Sequence, residues 1–185
     1  MKHNLLARAL SVLFVLAIIA SCFAVNTFAV SSVNCQPTNK YGGASKYFYV
    51  KASGSTSKLK FTCGTGNLDY GGVGTAIGVR GAYEIKIYKW DKGAGKITGS
   101  CIYDKDIYNK SSVTISFSST KNCYYRVQVY FWNATTTATS YFKNRVIRSQ
   151  YRGDAVGVIR TPCWDKLPTI TAANASGCTL YTSKP

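Results

Sequence analysis

The stretch from Cys123 to Trp132 reads CYYRVQVYFW, and it decides the fold because its side chains alternate in character with a period of two. One series is expected to point into a core: Cys123, Tyr125, Val127, Val129 and Phe131. The other is expected to point outward: Tyr124, Arg126, Gln128, Tyr130 and Trp132. This alternation predicts a β-strand with one face packed on a core.

The same period recurs along the chain, most clearly in KLKFTC at residues 58–63, where Leu59 and Phe61 alternate with lysines. Strands are predicted at residues 46–51, 58–63, 83–90, 97–103, 112–118 and 123–132. Polar connections are predicted at residues 30–45, 104–110 and 133–140, and a long connection at 64–82 includes one short strand at 75–79. Residues 141–152 fit either a strand or a short amphipathic helix, and we favour the strand. Short alternating strands separated by turns predict an all-β fold, an antiparallel β-sandwich with jelly-roll-like connectivity.

The N-terminal 29 residues are typical of a cleaved secretory signal peptide. Lys2 and Arg8 lie in a basic start without acidic residues, and a short apolar run follows from Ala9 to Val25. The run is short for a membrane-spanning helix, and no basic stop sequence follows it. We therefore expect a secreted protein with one domain at residues 30–185.

Two cleavage sites compete. A cut after Ala29 is favoured because Thr27 and Ala29 supply the small side chains that signal peptidases require. The alternative is a cut before Cys22, which resembles a bacterial lipoprotein signal and would leave the protein anchored by a lipid on Cys22.

Residues 30–185 contain an even set of cysteines: Cys35, Cys63, Cys101, Cys123, Cys163 and Cys178. In a secreted chain such a set predicts three disulfides. We favour a Cys163–Cys178 bridge that would clip the C-terminal segment in place. Six cysteines allow 15 connectivities, so the sequence leaves the remaining pairs open; one option is Cys101–Cys123 with Cys35–Cys63.

The chain is strongly cationic, with 23 basic and 7 acidic residues and a net charge of +16. Loss of Lys2 and Arg8 with the signal peptide leaves 21 basic residues against the same 7 acidic ones, or +14. This charge favours association with anionic polymers.

Histidine is missing from the expected mature chain, because His3 is the only one in the sequence. This excludes Ser-His-Asp and Cys-His catalysis and histidine-based zinc sites in the secreted form. Glu84 is the only glutamate, and no aspartate is placed beside it by the sequence. We therefore expect no catalytic residues, no metal site and no cofactor.

Large aromatic side chains occupy outward positions of two predicted strands, where small or charged residues are usual. The candidate ligand-binding residues are Lys86, Tyr88, Trp90, Tyr124, Arg126, Gln128, Tyr130 and Trp132. Aromatic rings stack on sugars, and Arg and Gln donate directional hydrogen bonds. The alternative is that residues 141–185 pack over this face and make it a second core layer.

These features predict a secreted, non-catalytic protein that binds an anionic or polysaccharide surface, such as a cell wall or an extracellular glycan. Contact with a membrane surface is a further option, and nucleic acid is disfavoured because the protein is secreted. One alternative is a bacteriocin-like antagonist acting on anionic envelopes. Another is an extracellular structural or adhesin subunit.

Overall fold

A computed structural model describes residues 28–69, 77–142 and 162–185. Within these ranges the chain forms thirteen strands and one helix. The first strands are β1 (Ala29–Val30), β2 (Ser32–Asn34), β3 (Ala44–Ala52), β4 (Thr56–Cys63), β5 (Gly66–Asp69) and β6 (Ile77–Val79). The central elements are β7 (Ala82–Asp91), β8 (Lys96–Tyr108), β9 (Ser112–Ser118), β10 (Tyr124–Phe131) and α1 (Ala134–Phe142). The last strands are β11 (Cys163–Lys166), β12 (Ile170–Ser176) and β13 (Cys178–Tyr181).

The strands form three antiparallel sheets. A six-stranded sheet has the order β1-β13-β3-β10-β7-β8, and a four-stranded sheet has the order β2-β12-β4-β9. A smaller three-stranded sheet has the order β11-β5-β6. The predicted all-β, sandwich-like antiparallel fold is confirmed, while its jelly-roll-like connectivity stays a prediction.

The core lies between the six-stranded and four-stranded sheets, where the inward residues of both meet. Phe61 of β4 lies 6.5 Å from Phe48 of β3 and 6.4 Å from Tyr83 of β7, measured between ring centroids. Phe117 and Tyr125 make an edge-on contact at 5.4 Å across the same interface. The period-two pattern produces this core because it sends alternate side chains of each strand inward.

Strand positions follow the sequence prediction, but some strands extend further. The predicted polar connection at 104–110 is wrong up to Tyr108, because β8 pairs with β7 as far as Ala82. The irregular lead-in at 30–45 contains β2 and the start of β3. The short strand predicted at 75–79 corresponds to β6, while residues 70–76 lie outside the described ranges.

The polar loop predicted at 133–140 is instead the start of helix α1. Asn133 caps the helix, because its Oδ1 accepts a hydrogen bond from the Thr136 amide at 2.7 Å. Ala134, Thr137 and Ala138 are buried, so one side of the helix is packed. The strand predicted at 141–152 is wrong for residues 141–142, which belong to α1; the remainder lies outside the described residues.

The sheets are joined near the C-terminus at Gly177, whose φ of +74° favours glycine. β12 belongs to the four-stranded sheet and β13 to the six-stranded sheet, so the chain changes sheets across this one residue. The Gly177 carbonyl accepts hydrogen bonds from the Ser53 amide at 2.9 Å and the Ser57 hydroxyl at 3.0 Å. A Cβ at Gly177 would collide with the carbonyl oxygen of Thr56.

The six cysteines carry free thiols, so the predicted disulfides are absent from this structure. The Cys35 amide donates to the Ile170 carbonyl, and Ile170 pairs in register with Cys63. Cys35 and Cys63 therefore lie two strands apart, roughly 10 Å between Cα atoms, beyond the reach of a disulfide at about 7 Å.

The other two predicted pairs are not formed in this structure either. Cys101 lies opposite Tyr88 on the outer face of the six-stranded sheet, whereas Cys123 lies beside Ala52 on the core side. Cys163 pairs with β5 in the three-stranded sheet, whereas Cys178 pairs with Ala52 in the six-stranded sheet. Members of each pair thus occupy different faces or different sheets.

Residues 1–27, including most of the predicted signal peptide and the alternative lipidation site Cys22, lie outside the described ranges. Ala29 and Val30 form β1 and pair with Tyr181 and Leu180 of β13. The favoured cut after Ala29 would therefore fall inside β1. In the described part of the chain, no helix has the length and apolar character needed to cross a membrane.

Candidate functional site: the outer face of the six-stranded sheet

Strand β10 runs through the middle of the candidate site and sets its register. Tyr124 pairs with Trp90 of β7 and Lys51 of β3, and Gln128 pairs with Lys86 of β7. The predicted site residues of the two strands are thus neighbours on one face. We call this surface the aromatic face; it comprises Tyr47, Tyr49, Lys51, Glu84, Lys86, Tyr88, Trp90, Lys92, Asp104, Asp106, Tyr108, Tyr124, Arg126, Gln128, Tyr130, Trp132, Tyr181 and Lys184.

Arg126 lies near the centre of the aromatic face between two tyrosine rings. Its Cζ is 4.8 Å from the centroid of the Tyr47 ring and 5.8 Å from that of the Tyr88 ring. Tyr47 is 47% exposed, so this cluster reaches solvent. The buried Nε of Arg126 has no hydrogen-bond partner within the described residues. The rings hold the guanidinium by cation–π contact without neutralising it.

Lysines surround the neighbouring end of β10. The Nζ atoms of Lys51 and Lys92 lie 5.8 Å and 5.4 Å from the centroid of the Tyr124 ring. Lys184 lies 5.8 Å from the ring of Trp90. We call Lys51, Lys92, Arg126 and Lys184, with their rings, the cationic end.

Trp90 is on the predicted face, but it is only 5% exposed. The ring of Tyr49 contacts it edge-on at 5.0 Å, and Lys184 lies over it. Trp90 therefore does not offer a free ring for stacking, contrary to our expectation. Its ring instead packs beneath the more exposed side chains of the aromatic face.

The other end of β10 carries a second aromatic cluster. Trp132 lies 6.3 Å from Tyr130 and 6.5 Å from Tyr108, measured between ring centroids. Tyr108 is 45% exposed, so the cluster is open to solvent. Gly42, with φ +73°, passes so close that a Cβ there would lie 2.5 Å from the Trp132 carbonyl oxygen. This tight approach fixes the backbone that carries Trp132.

Carboxylates flank this second cluster. The Lys86 ammonium lies 2.7 Å from Glu84 Oε1 and 3.6 Å from Asp104 Oδ2. Asp106 is in register with Glu84 and accepts a hydrogen bond from the Tyr108 hydroxyl at 3.1 Å. The hydrogen bond from Lys86 to Glu84 raises the pKa of Lys86. We call Glu84, Asp104, Asp106, Tyr108, Tyr130 and Trp132 the acidic end.

Sequence reasoning missed several members of the aromatic face. Tyr47, Tyr49 and Lys51 alternate in the first predicted strand, so the period-two signal was present but unused. Asp106 and Tyr108 were missed because β8 was ended too early. Neither Tyr181 nor Lys184 had a signal, because their position depends on the pairing of β13 with β3.

The alternative was that residues 141–185 cover this face, and the structure describes residues 141–142 and 162–185 of that segment. Strand β13 lies beside β3 in the same sheet rather than across it. Lys184 covers Trp90, and Tyr181 lies 6.2 Å from Tyr124. Residues 143–161 lie outside the described ranges.

Asp69, Cys163 and Asp165 bring possible metal-binding atoms together on β5 and β11. Their ligand atoms lie within 4.8 Å of one another. Groups of this kind are common without an ion, so closeness alone does not define a metal site.

Comparisons with known proteins assign no family to this chain. No family model matches it, and no curated protein matches it. Among solved structures, a surface-associated copper-binding protein, CorA of Methylomicrobium album BG8, aligns over 82% of this chain and 94% of its own, with 12% identity and a TM-score of 0.35. The CBM22-1-GH10 modules of Clostridium thermocellum xylanase 10B align over 85% of this chain and 29% of their own, with 8% identity and a TM-score of 0.23. Infectious bursal disease virus, Gx strain, aligns over 86% of this chain and 37% of its own, with 8% identity and a TM-score of 0.24. At these scores the alignments establish neither ancestry nor function.

Proposed function

We propose that the protein is a secreted, cationic, non-catalytic binding protein for an anionic or polysaccharide surface, and that the aromatic face is its binding surface. One observation carries this proposal: the register of β3, β10 and β7 gathers outward aromatic and cationic side chains into one continuous surface. Extracellular glycans and cell walls offer the ring faces and anionic groups that such a surface would bind.

The opposite side of the sandwich supports this assignment by contrast. The outer positions of the four-stranded sheet hold small polar side chains and lysines, here called the polar face: Ser32, Asn34, Lys58, Lys60, Thr62, Ser112, Thr114, Ser116, Ser118 and Thr171. Exposed aromatic side chains cost solubility and favour partners. Their concentration on one of two outer faces therefore favours that face as the interaction surface.

Electrostatics support an anionic component in the ligand. Both ion pairs among the described residues involve Lys86. The lysines and Arg126 of the cationic end thus have no carboxylate partner in the described ranges. Their charge is left available to an external anion, in a chain whose net charge is already +16.

The non-catalytic part of the proposal is supported by the residue inventory. His3, in the predicted signal peptide, is the only histidine. The structure places Asp106 opposite Glu84, which the sequence did not reveal, but Glu84 is bound by the Lys86 ammonium.

Retention on immobilised heparin and on insoluble cell-wall polysaccharide tests the proposal. We expect retention at low salt that weakens as salt rises, and a large loss of cell-wall retention in the Tyr130→Ala/Trp132→Ala double variant. The matched control is Lys58→Ala/Lys60→Ala on the polar face, which should keep cell-wall retention. A double variant retained as well as the wild type would remove the aromatic face from the proposal.

The bacteriocin-like and adhesin alternatives are tested with the same preparation. Growth inhibition of neighbouring bacterial strains at micromolar doses would favour the first. Concentration-dependent assembly or cell adhesion would favour the second.

A further inference from the structure

The two ends of the aromatic face carry opposite charge, although both are rich in rings. At the cationic end, Arg126 lies between two tyrosines and Tyr124 lies between two lysines. At the acidic end, Glu84 and Asp106 oppose each other in register, and Tyr130 lies beside Glu84 on β10. A uniform polyanion would be attracted to one end and repelled by the other.

We propose that the ligand is an acidic polysaccharide that lies along β10 in one orientation. A carboxylate or other anionic group of the glycan sits at Arg126, and an uncharged portion of a sugar ring stacks on the Trp132 cluster. This assignment rests on the proposed function, because it names the ligand class and its direction on the same face.

The cationic end fits an anion because its charge is held in place and unpaired. Stacking on Tyr47 and Tyr88 restricts Arg126, so less conformational entropy is lost when it binds an anion. Lys51 and Lys92 lie on the neighbouring Tyr124 and add positive potential. None of these cations has a carboxylate partner among the described residues, where both ion pairs belong to Lys86.

The acidic end fits a sugar ring better than an anion. Tyr108, Tyr130 and Trp132 form a ring cluster that is open to solvent at Tyr108. Three carboxylates lie at this end, Glu84, Asp104 and Asp106, and only the Lys86 ammonium offsets them. The net negative charge repels anions, and the carboxylate oxygens can accept hydrogen bonds from sugar hydroxyls. The acidic end should therefore bind an uncharged sugar ring in preference to an anionic group.

The distance between the two ends sets a minimum ligand length. Arg126 and Trp132 are six residues apart along an extended strand, which corresponds to about 20 Å. A monosaccharide cannot span this distance, whereas an extended oligosaccharide can. We therefore expect affinity to rise steeply with chain length.

Calorimetry with chemically matched probes tests the proposal. The probes are galacturonic acid, a long oligogalacturonate, the same oligomer with its carboxylates methyl-esterified, and polyglutamate of equal charge. We expect the acidic oligomer to bind tightest, and the monomer, the ester and polyglutamate each to bind about tenfold or more weaker, as expected when a charge-assisted hydrogen bond or a stacked ring is lost.

Variants then test the orientation. Arg126→Met should weaken binding of the acidic oligomer about tenfold and leave the ester unaffected, and Arg126→Lys should restore part of the loss. Trp132→Ala should weaken both oligomers by the same factor. Lys60→Met on the polar face is the charge-matched control and should change neither affinity. Circular dichroism of each variant checks that the fold is kept.

The outcomes separate this inference from the proposed function. Equal binding of acid and ester, with no effect of Arg126→Met, would overturn the inference and leave polysaccharide binding intact. Polyglutamate binding as tightly as oligogalacturonate would overturn the role of the sugar rings. An equal loss in Lys60→Met and Arg126→Met would show diffuse charge attraction and overturn the orientation. Binding of neither the oligomers nor cell-wall material would overturn the proposed function itself.

Discussion

The two outer faces of the sandwich are built from strands with the same alternating pattern, yet their side chains differ completely. On β4, buried and exposed residues alternate without exception, and the exposed ones are lysines and small polar residues. On β10, the outward residues are half-buried, because large neighbouring side chains cover one another. The sandwich needs only one apolar side of each sheet. The outward aromatic side chains therefore exceed what the sandwich needs to form its core, and we propose that the more exposed of these rings serve binding.

The aromatic face consists of two layers of side chains. Tyr49 and Trp90 point away from the core, yet they are only 6% and 5% exposed. They form a lower layer beneath the more exposed Tyr47 and the lysines. The polar face has no such layer, so substitutions on the two faces should have different consequences.

The largest expected effect is on stability. Trp90→Ala should lower the free energy of unfolding by about 3–5 kcal/mol, because it removes a buried aromatic side chain. Ser116→Ala on the polar face should change it by about 0.5 kcal/mol at most. Urea denaturation of both variants measures the difference. Similar small effects in both would mean that the lower aromatic layer is not packed in solution.

The thiols in the core between the sheets should be alkylated more slowly than the thiol on the aromatic face. Burial raises the pKa of the Cys35 and Cys63 thiols to about 12, so at pH 8 their reactive thiolate is about a thousandfold scarcer than that of an ordinary thiol with a pKa of 9.0. Cys101, half-buried beside Tyr88, should be alkylated before Cys35 and Cys63.

Peptide mass spectrometry after iodoacetamide treatment measures this order. All the cysteines should react in urea, which is the internal control. Recovery of disulfide-linked peptides from the native protein would show that the chain in solution pairs its cysteines and differs from this structure.

The same buried thiols predict loss of stability in alkaline solution. Below pH 9 they are protonated in both the folded and the unfolded chain. Above pH 9 the unfolded chain releases their protons and the folded chain does not, so stability falls until about pH 12. At pH 10 the loss is about 1 kcal/mol per thiol.

Urea denaturation at pH 8 and pH 10 measures this loss. Cys63→Ala should be less stable at both values, but its difference between them should be smaller than that of the wild type by one thiol's share. An unchanged difference would assign the alkaline effect to other groups.

The smallest expected effect is a salt-dependent change in melting temperature when a lysine is removed from one face or the other. Lys86→Met removes the ammonium that lies between Glu84 and Asp104, so it should lower the melting temperature slightly at low salt and less at high salt. Lys60→Met on the polar face breaks no ion pair in the described structure and should not share this salt dependence. Calorimetric melting at two salt concentrations compares them. Equal behaviour would mean that the Lys86 contacts do not persist in solution.

The strands and their faces were predictable from the sequence because burial of alternate side chains is a local signal. The pattern at Tyr124–Trp132 correctly placed five outward residues on one face, and β9 was predicted with both ends correct. Helix α1 was missed because its threonine-rich sequence has weak helix propensity, and the helix depends on the Asn133 cap and on tertiary burial.

The cysteine pairs and the pairing of sheet neighbours were not predictable in this way. Pairing depends on contacts between distant parts of the chain, and spacing along the sequence does not report which sheet a strand joins. The C-terminal segment illustrates this: β12 and β13 are separated by one residue but belong to different sheets. The ligand assigned to the aromatic face, and secretion itself, stay proposals.

The change of sheets at Gly177 also has a mechanical consequence for the C-terminal residues. Because the chain changes sheets there, force applied to the C-terminus would act on the polar face through β12 and on the aromatic face through β13. Tyr181 and Lys184, just beyond this crossing, contact Tyr124 and Trp90. Peeling away the last few residues would therefore expose the tryptophan and remove one cation before the core opens. If the aromatic face binds a ligand as proposed, tension on the C-terminus would weaken that binding while the core stays folded.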